Sequence, residues 1–205
     1  MTQWVENTNR GRDRGPVALG RAWVEVLVRP RQFFARRVAP GDQAPGLTFA
    51  AAVVFAAELV RIATVADGYP VVAGQPTASA VLWLLALIVL VMPAGIHLTA
   101  ALQTLVLIAT VDDRAGVSET VQVLCYSLAP LAFLGVPNLW VQAAVVLWSA
   151  GLLVIGMGTV HDISLPRALV VVAIPALLLL GYGFGGKADV ETVAGLVGQH
   201  LETLA

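Results

Sequence analysis

The sequence predicts an all-α integral membrane protein. The expected architecture is a helical bundle with five transmembrane segments, N-terminus inside and C-terminus outside, flanked by an amphipathic surface helix at each end. Three observations carry that prediction. Of 205 residues, 58% are hydrophobic and a further 19 are glycine, while only 12% are charged; a soluble domain needs roughly a quarter of its residues charged. Apolar runs long enough to cross a hydrocarbon core of about 30 Å recur between short polar turns. The formal net charge of −1 hides an asymmetry: of twelve basic residues, Arg10, Arg12, Arg14, Arg21, Arg29, Arg31, Arg36 and Arg37 all precede Val38. This composition excludes a soluble enzyme, a disordered tail and a nucleic-acid-binding module, so the expected partner is the lipid bilayer and not a nucleic acid.

Residues 1–16 read as a polar N-terminal tail, and nothing before Ala44 has the uninterrupted apolar stretch of a secretory signal. Residues 17–186 form the membrane domain. Its first part is amphipathic, with Leu19, Ala22, Trp23, Val26 and Leu27 at helical spacing, Arg21 and Glu25 opposite, and Pro30 ending the pattern. Phe33 and Phe34 follow between Arg31 and Arg36. The segment is expected to lie on the inner leaflet with its aromatics in lipid and its guanidiniums among anionic headgroups. Trp23, Arg31, Phe33, Phe34, Arg36 and Arg37 are therefore the candidate residues for binding lipid or a partner; the plainer reading is an ordinary juxtamembrane anchor.

Five spans follow, over about 45–65, 78–111, 118–134, 139–160 and 165–182. The first is about 20 residues, enough at 1.5 Å per residue to cross the bilayer. The second would be about 50 Å long as one helix, too long for an untilted crossing. Either it kinks at Pro93 or its second half projects from the bilayer. Ser118 reads as the N-cap of the third, which carries Glu119, Gln122 and Ser127 and is the most polar of the five. The turn GVPN (Gly135 to Asn138) makes spans three and four antiparallel neighbours, and HDISLPR separates spans four and five. The tail over 187–205 has Val190, Val193, Ala194, Val197, Leu201 and Leu204 at helical spacing, an amphipathic surface helix and not a sixth span. With the N-terminus inside, Arg114 and Arg167 join the N-terminal arginines there and Lys187 is alone outside; Trp83, Trp140 and Tyr182 fall near the outer interface.

Few residues offer chemistry. Glu58 and Arg61 are three apart in span one, share a face and can pair; intramembrane charges are functional suspects by default. His97 sits one turn after Pro93, where an imidazole N–H can serve a carbonyl freed by the kink. Glu58, Arg61 and His97 make up the candidate intramembrane polar site. A metal or proton-relay cluster of His97, His161, Asp162, Asp112 and Asp113 has no HExxH, CxxC or paired-His spacing behind it, so no metal, cofactor or catalytic residue is expected. Cys125 reads as a small packing residue. Gly181, Gly183 and Gly186 match GxGxxG but follow a membrane helix and not a strand, so they read as a flexible helix exit.

The order of features is distinctive: RPRQFF (Arg29 to Phe34), APG (Ala44 to Gly46), a long second segment with His97, a polar turn, and ETVQVLCYSLAP (Glu119 to Pro130) before two further spans. It resembles the Yip1 family of five-span membrane proteins, and looks most like archaeal members from halophiles. The resemblance implies a helical bundle with a cytoplasmic N-terminus and, in eukaryotic relatives, vesicle trafficking through Rab GTPases. This chain departs from those relatives, because their DLYGP sequence is absent from it, and Rab binding is not carried over. One Lys against eleven Arg points to a GC-rich genome and a prokaryotic cell membrane. The leading expectation is a non-enzymatic scaffold organising lipids or membrane proteins, itself included, since Ala52 and Ala56 permit close helix packing. The alternative is a small transporter or channel component with a polar path at Glu58, Arg61 and His97. An intramembrane hydrolase comes third.

Overall fold

The computed structural model describes residues 6–7, 11–12, 15–66 and 68–204. Most of the expected polar tail, Asp67 of the first loop and Ala205 lie outside the described residues. Glu6–Asn7 and Gly11–Arg12 form an antiparallel pair of two-residue strands. All other regular structure among the described residues is helical: α1 (Pro16–Val28), α2 (Pro30–Arg37), α3 (Ala44–Thr64), α4 (Pro76–Thr110), α5 (Val117–Phe133), α6 (Leu139–Val160), α7 (Leu165–Gly183) and α8 (Gly186–Leu204). Proline occupies the first turn of α1, α2, α3, α4 and α7. Its missing N–H is one that a helix start leaves unpaired anyway, and its fixed φ suits the first helical residue.

Four helices, α3, α4, α6 and α7, are long and apolar enough to cross a membrane. Their outer faces are apolar, with Val170 76% exposed and Leu98 73%. That is the inverse of a soluble surface and calls for lipid. The fifth expected span, α5, is shorter, α-helical over Val117–Ser127 and 3₁₀ over Ala129–Phe133, where Pro130 enters. Every residue from Thr120 to Leu131 is buried, and the helix packs on α3, α4 and α6. Its relative polarity suits a central strut whose polar groups find partners inside the protein.

The start of α5 differs from expectation. The N-cap is Gly116 and not Ser118: Gly116 is extended at φ −77° and ψ 174°, and its carbonyl accepts from both the N–H and the hydroxyl of Thr120 at 3.2 Å. Ser118 lies inside the first turn, where its carbonyl accepts from Gln122 Nε2 at 3.2 Å.

The irregularity expected at Pro93 takes the form of a π turn. Ala86–Val91 winds wide, and the Met92 N–H reaches back five residues to Leu87 O. Pro93 cannot donate and would clash with a carbonyl in regular α geometry, so the chain widens just before it. A second π turn, Leu177–Gly183, closes α7 just after Pro175, with the Phe184 N–H on Leu179 O at 3.1 Å.

The α5–α6 link lies directly on α3. A Cβ on Gly135 would sit 2.0 Å from Ala57 O, so only glycine permits that approach. Asn138 then caps α6, its Oδ1 accepting from the N–H groups of Trp140 (3.0 Å) and Val141 (3.2 Å). At the other end of α6, Asp162 at φ +50° takes the left-handed position and Ile163 N–H returns to Gly158 O at 3.0 Å, a Schellman stop.

Candidate functional site

The basic N-terminal segment is part of the bundle. In α1, Ala18, Ala22 and Val26 are buried, and the indole N–H of Trp23 donates to Ala129 O at 2.8 Å, at the break in α5. Trp23 also meets Phe133 edge-to-face at 5.7 Å. In α2, Phe33 and Phe34 are each 1% exposed. Phe33 stacks edge-on against Tyr126 at 4.8 Å, and Phe34 lies over Gly156 of α6, where an added Cβ would come within 3.0 Å of the ring. The expectation of lipid-facing aromatics is therefore corrected: the rings enter the protein because Gly156 and the Tyr126 face leave a slot of aromatic size. Gln122 fixes the exit from α2, its Oε1 accepting from Ala39 N at 3.3 Å and its Nε2 donating to Ala39 O at 2.7 Å.

The candidate arginines divide. Arg31 and Arg36 are exposed, as are Arg21 and Arg29. Arg37 is half-buried and donates to Glu25 at 3.1 Å, which ties α2 back to α1. One of the six candidates thus holds the hairpin together, three mount it, and two remain for contact with another molecule.

At the opposite end of α3, Glu58 and Arg61 pair as their spacing implies. Arg61 Nε donates to both carboxylate oxygens, at 3.1 and 3.0 Å, Nη2 donates to Oε2, and Nη1 donates to Gly68 O in the following loop. Trp83 of α4, expected only as an interfacial ring, donates its indole N–H to Glu58 Oε2 at 3.2 Å, with the guanidinium carbon 5.9 Å from the ring centroid. Pairing offsets most of the cost of placing these charges below a membrane surface. Beside them lies a recess of about 150 Å³ between α3, α4 and α7, which Glu58 lines together with residues of both π turns.

His97 does not join the pair. Its Nδ1 lies 2.7 Å from Pro93 O, the bond expected from the spacing, but its Nε2 meets Gln43 Oε1 at 3.2 Å. Gln43 caps the start of α3, fifteen residues before Glu58 and so about 22 Å from it along the helix at 1.5 Å per residue. The three members of the candidate polar site stand in two places.

One buried group escaped the sequence reading of function. His161 is 1% exposed at the end of α6, with Nε2 3.3 Å from Thr120 Oγ1. The Thr120 hydroxyl donates to Gly116 O, so it accepts from Nε2–H and leaves Nδ1 as the bare, unpartnered nitrogen. Burial pushes the imidazole pKa down to about 4, with Arg114 adding to the effect and Glu119 opposing it. Among the described residues no three His, Cys, Asp or Glu are placed to hold a metal ion. The signal that could have flagged the recess was the coincidence of proline and glycine inside apolar helices, Pro93 with Gly95 and Pro175 with Gly183.

No curated protein and no solved structure matches the chain at a significant level. The Yip1 domain model does match, over residues 24–186, from the middle of α1 through the second π turn. That stretch holds the hairpin, all four long apolar helices and the central strut. With most of its length inside one family match, this membrane protein belongs to the Yip1 domain family.

Proposed function

We propose that the chain is a non-enzymatic five-span scaffold, cytoplasmic at its N-terminus and external at its C-terminus, that organises lipids or membrane proteins through the α1–α2 hairpin. One observation carries the reading: a hairpin seated in the bundle by Trp23, Phe33 and Phe34 keeps Arg21, Arg29, Arg31 and Arg36 exposed. A basic surface on a rigid mount loses little entropy when an acidic partner or an anionic leaflet binds it. The crossing number is supported by the length of α5, eleven α-helical and five 3₁₀ residues, about 27 Å in all. The orientation is supported by the gathering of arginines at the end where α3 begins, and a prokaryotic cell membrane by the Arg-for-Lys bias.

The test is a crosslinking pull-down of the full chain in mild detergent, comparing wild type with Arg31→Glu/Arg36→Glu. Each surface arginine contributes about 1 kcal/mol at an anionic membrane. The double variant is therefore expected to lose at least ten-fold in bound anionic lipid or acidic partner while its melting temperature holds. An unchanged profile of bound lipids and proteins would overturn the scaffold reading.

A further inference from the structure

The recess at the Glu58 end combines features that the scaffold reading does not use. Its volume is about 150 Å³, and of its lining residues Glu58 alone carries a charge, among walls such as Val54, Val91, Ile96 and Phe184. A cavity of that size accepts a body as large as a benzene ring. Gly95 lines it too, and a Cβ added there would meet nothing within 4 Å. Val91 and Gly183 at its rim are exposed, so the recess is open from the apolar surface of the bundle.

The electrostatics select the occupant. Glu58 Oε2 accepts from Arg61 and Trp83, whereas Oε1 accepts only a bond from Arg61 Nε that it shares with Oε2. A carboxylate oxygen has two acceptor sites, so Oε1 has capacity left for one more donor. The charge of Glu58 is already balanced by Arg61, so a cation brought to Oε1 would meet the guanidinium as a like charge. An anion would find no donor among the lining side chains. A neutral donor on an apolar body fits both constraints.

We propose that this recess binds the hydroxyl end of an apolar bilayer alcohol, headgroup first, with Glu58 Oε1 accepting the hydroxyl hydrogen bond and the remaining hydrocarbon lying in the membrane. The site goes beyond the hairpin scaffold and does not depend on it. The two wide turns suit it: regular α geometry would draw the backbone tighter where Val91 and Gly183 now leave the opening.

The experiment uses the full chain in nanodiscs and three diazirine photoprobes of equal chain length: a long-chain alcohol, the matching amine and the matching alkane. Crosslinked peptides are mapped by mass spectrometry. The alcohol is expected to label Leu87–Ile96 and Leu179–Phe184 at least five-fold more than the amine or the alkane. Gly95→Leu, which fills the space without displacing a neighbour, is expected to cut that labelling at least five-fold with the melting temperature unchanged. Equal labelling by the alkane would reduce the recess to an apolar crevice and overturn the proposal. Stronger labelling by the amine would overturn the charge argument, and undiminished labelling of a folded Gly95→Leu chain would place the alcohol elsewhere.

Discussion

At the end where α3 begins, polar atoms are spent on the protein's own backbone: Gln122 holds Ala39 through both amide atoms, His97 takes Pro93 O, and Thr120 and His161 face each other. Aromatic rings fill what remains. At the end where α3 stops, a charged pair and an indole form an equally tight knot, yet the space beside them is open and two helices widen around it. The first end has the properties of a joint that must not move. The second has the properties of a place that receives something, because a filled core has no use for a wide helical turn or for a glycine with empty space above it.

Truncation at the closed end should cost most. Phe34→Ala removes a ring buried against Gly156, and losses of this kind run to about 3–5 kcal/mol. Thermal unfolding in detergent should show a fall of roughly 10 °C, and the α1–α2 segment should become protease-sensitive. A fall of only a degree or two would mean that the hairpin is not mounted by its aromatics.

The next effect depends on pH. His161 has its folded pKa lowered to about 4, below the ordinary value of about 6.5, so its contribution is complete above the unfolded value. Between about pH 6.5 and 4 the unfolded chain takes up a proton that the native chain does not, and about 3 kcal/mol is lost on the way down. His161→Gln should flatten this acid limb of the melting curve. An unchanged limb in the variant would assign the acid sensitivity to other groups.

At the open end, Glu58→Gln leaves the Arg61 guanidinium without its counter-charge. Both side chains keep some exposure, 19% for Glu58 and 31% for Arg61, so the cost should be about 2 kcal/mol and not the 3–5 of a fully buried pair. A loss as large as that of Phe34→Ala would make this end as structural as the other. The smallest effect is expected from Gly95→Ala, which has room and gains helix propensity, about 0.5 kcal/mol of stabilisation. Destabilisation by this variant would show that the recess closes in solution.

Much of this contrast was beyond the reach of sequence, for identifiable reasons. Uninterrupted apolar runs bounded by Asn138 and by HDISLPR mark α6 and the start of α7 to the residue, because nothing within them competes with a helix. The Glu58–Arg61 pair was equally legible, since a spacing of three on one helix fixes both partners. Periodicity in α1 and the aromatics of α2 said that faces were apolar but not what covers them, and a slot at Gly156 is a property of another helix 122 positions on from Phe34. Depth between helices is likewise unwritten along any one of them, which is why His97 was grouped with a pair that lies a helix length away. Gly116 displaced Ser118 as the cap because the choice was made by Thr120, whose hydroxyl and N–H close on the same carbonyl.

The π turn over Ala86–Val91 also changes what an insertion or a deletion means in this chain. A wide turn is one residue more than the helix needs, held as a bulge. Removing one residue from it would barely shorten α4, but would rotate everything after it by about 100°, a single step of a 3.6-residue helix. Gly95 and Ile96 would leave α3 together and His97 would lose Gln43. In the Ala86–Val91 stretch, the length of the protein is a setting of angle.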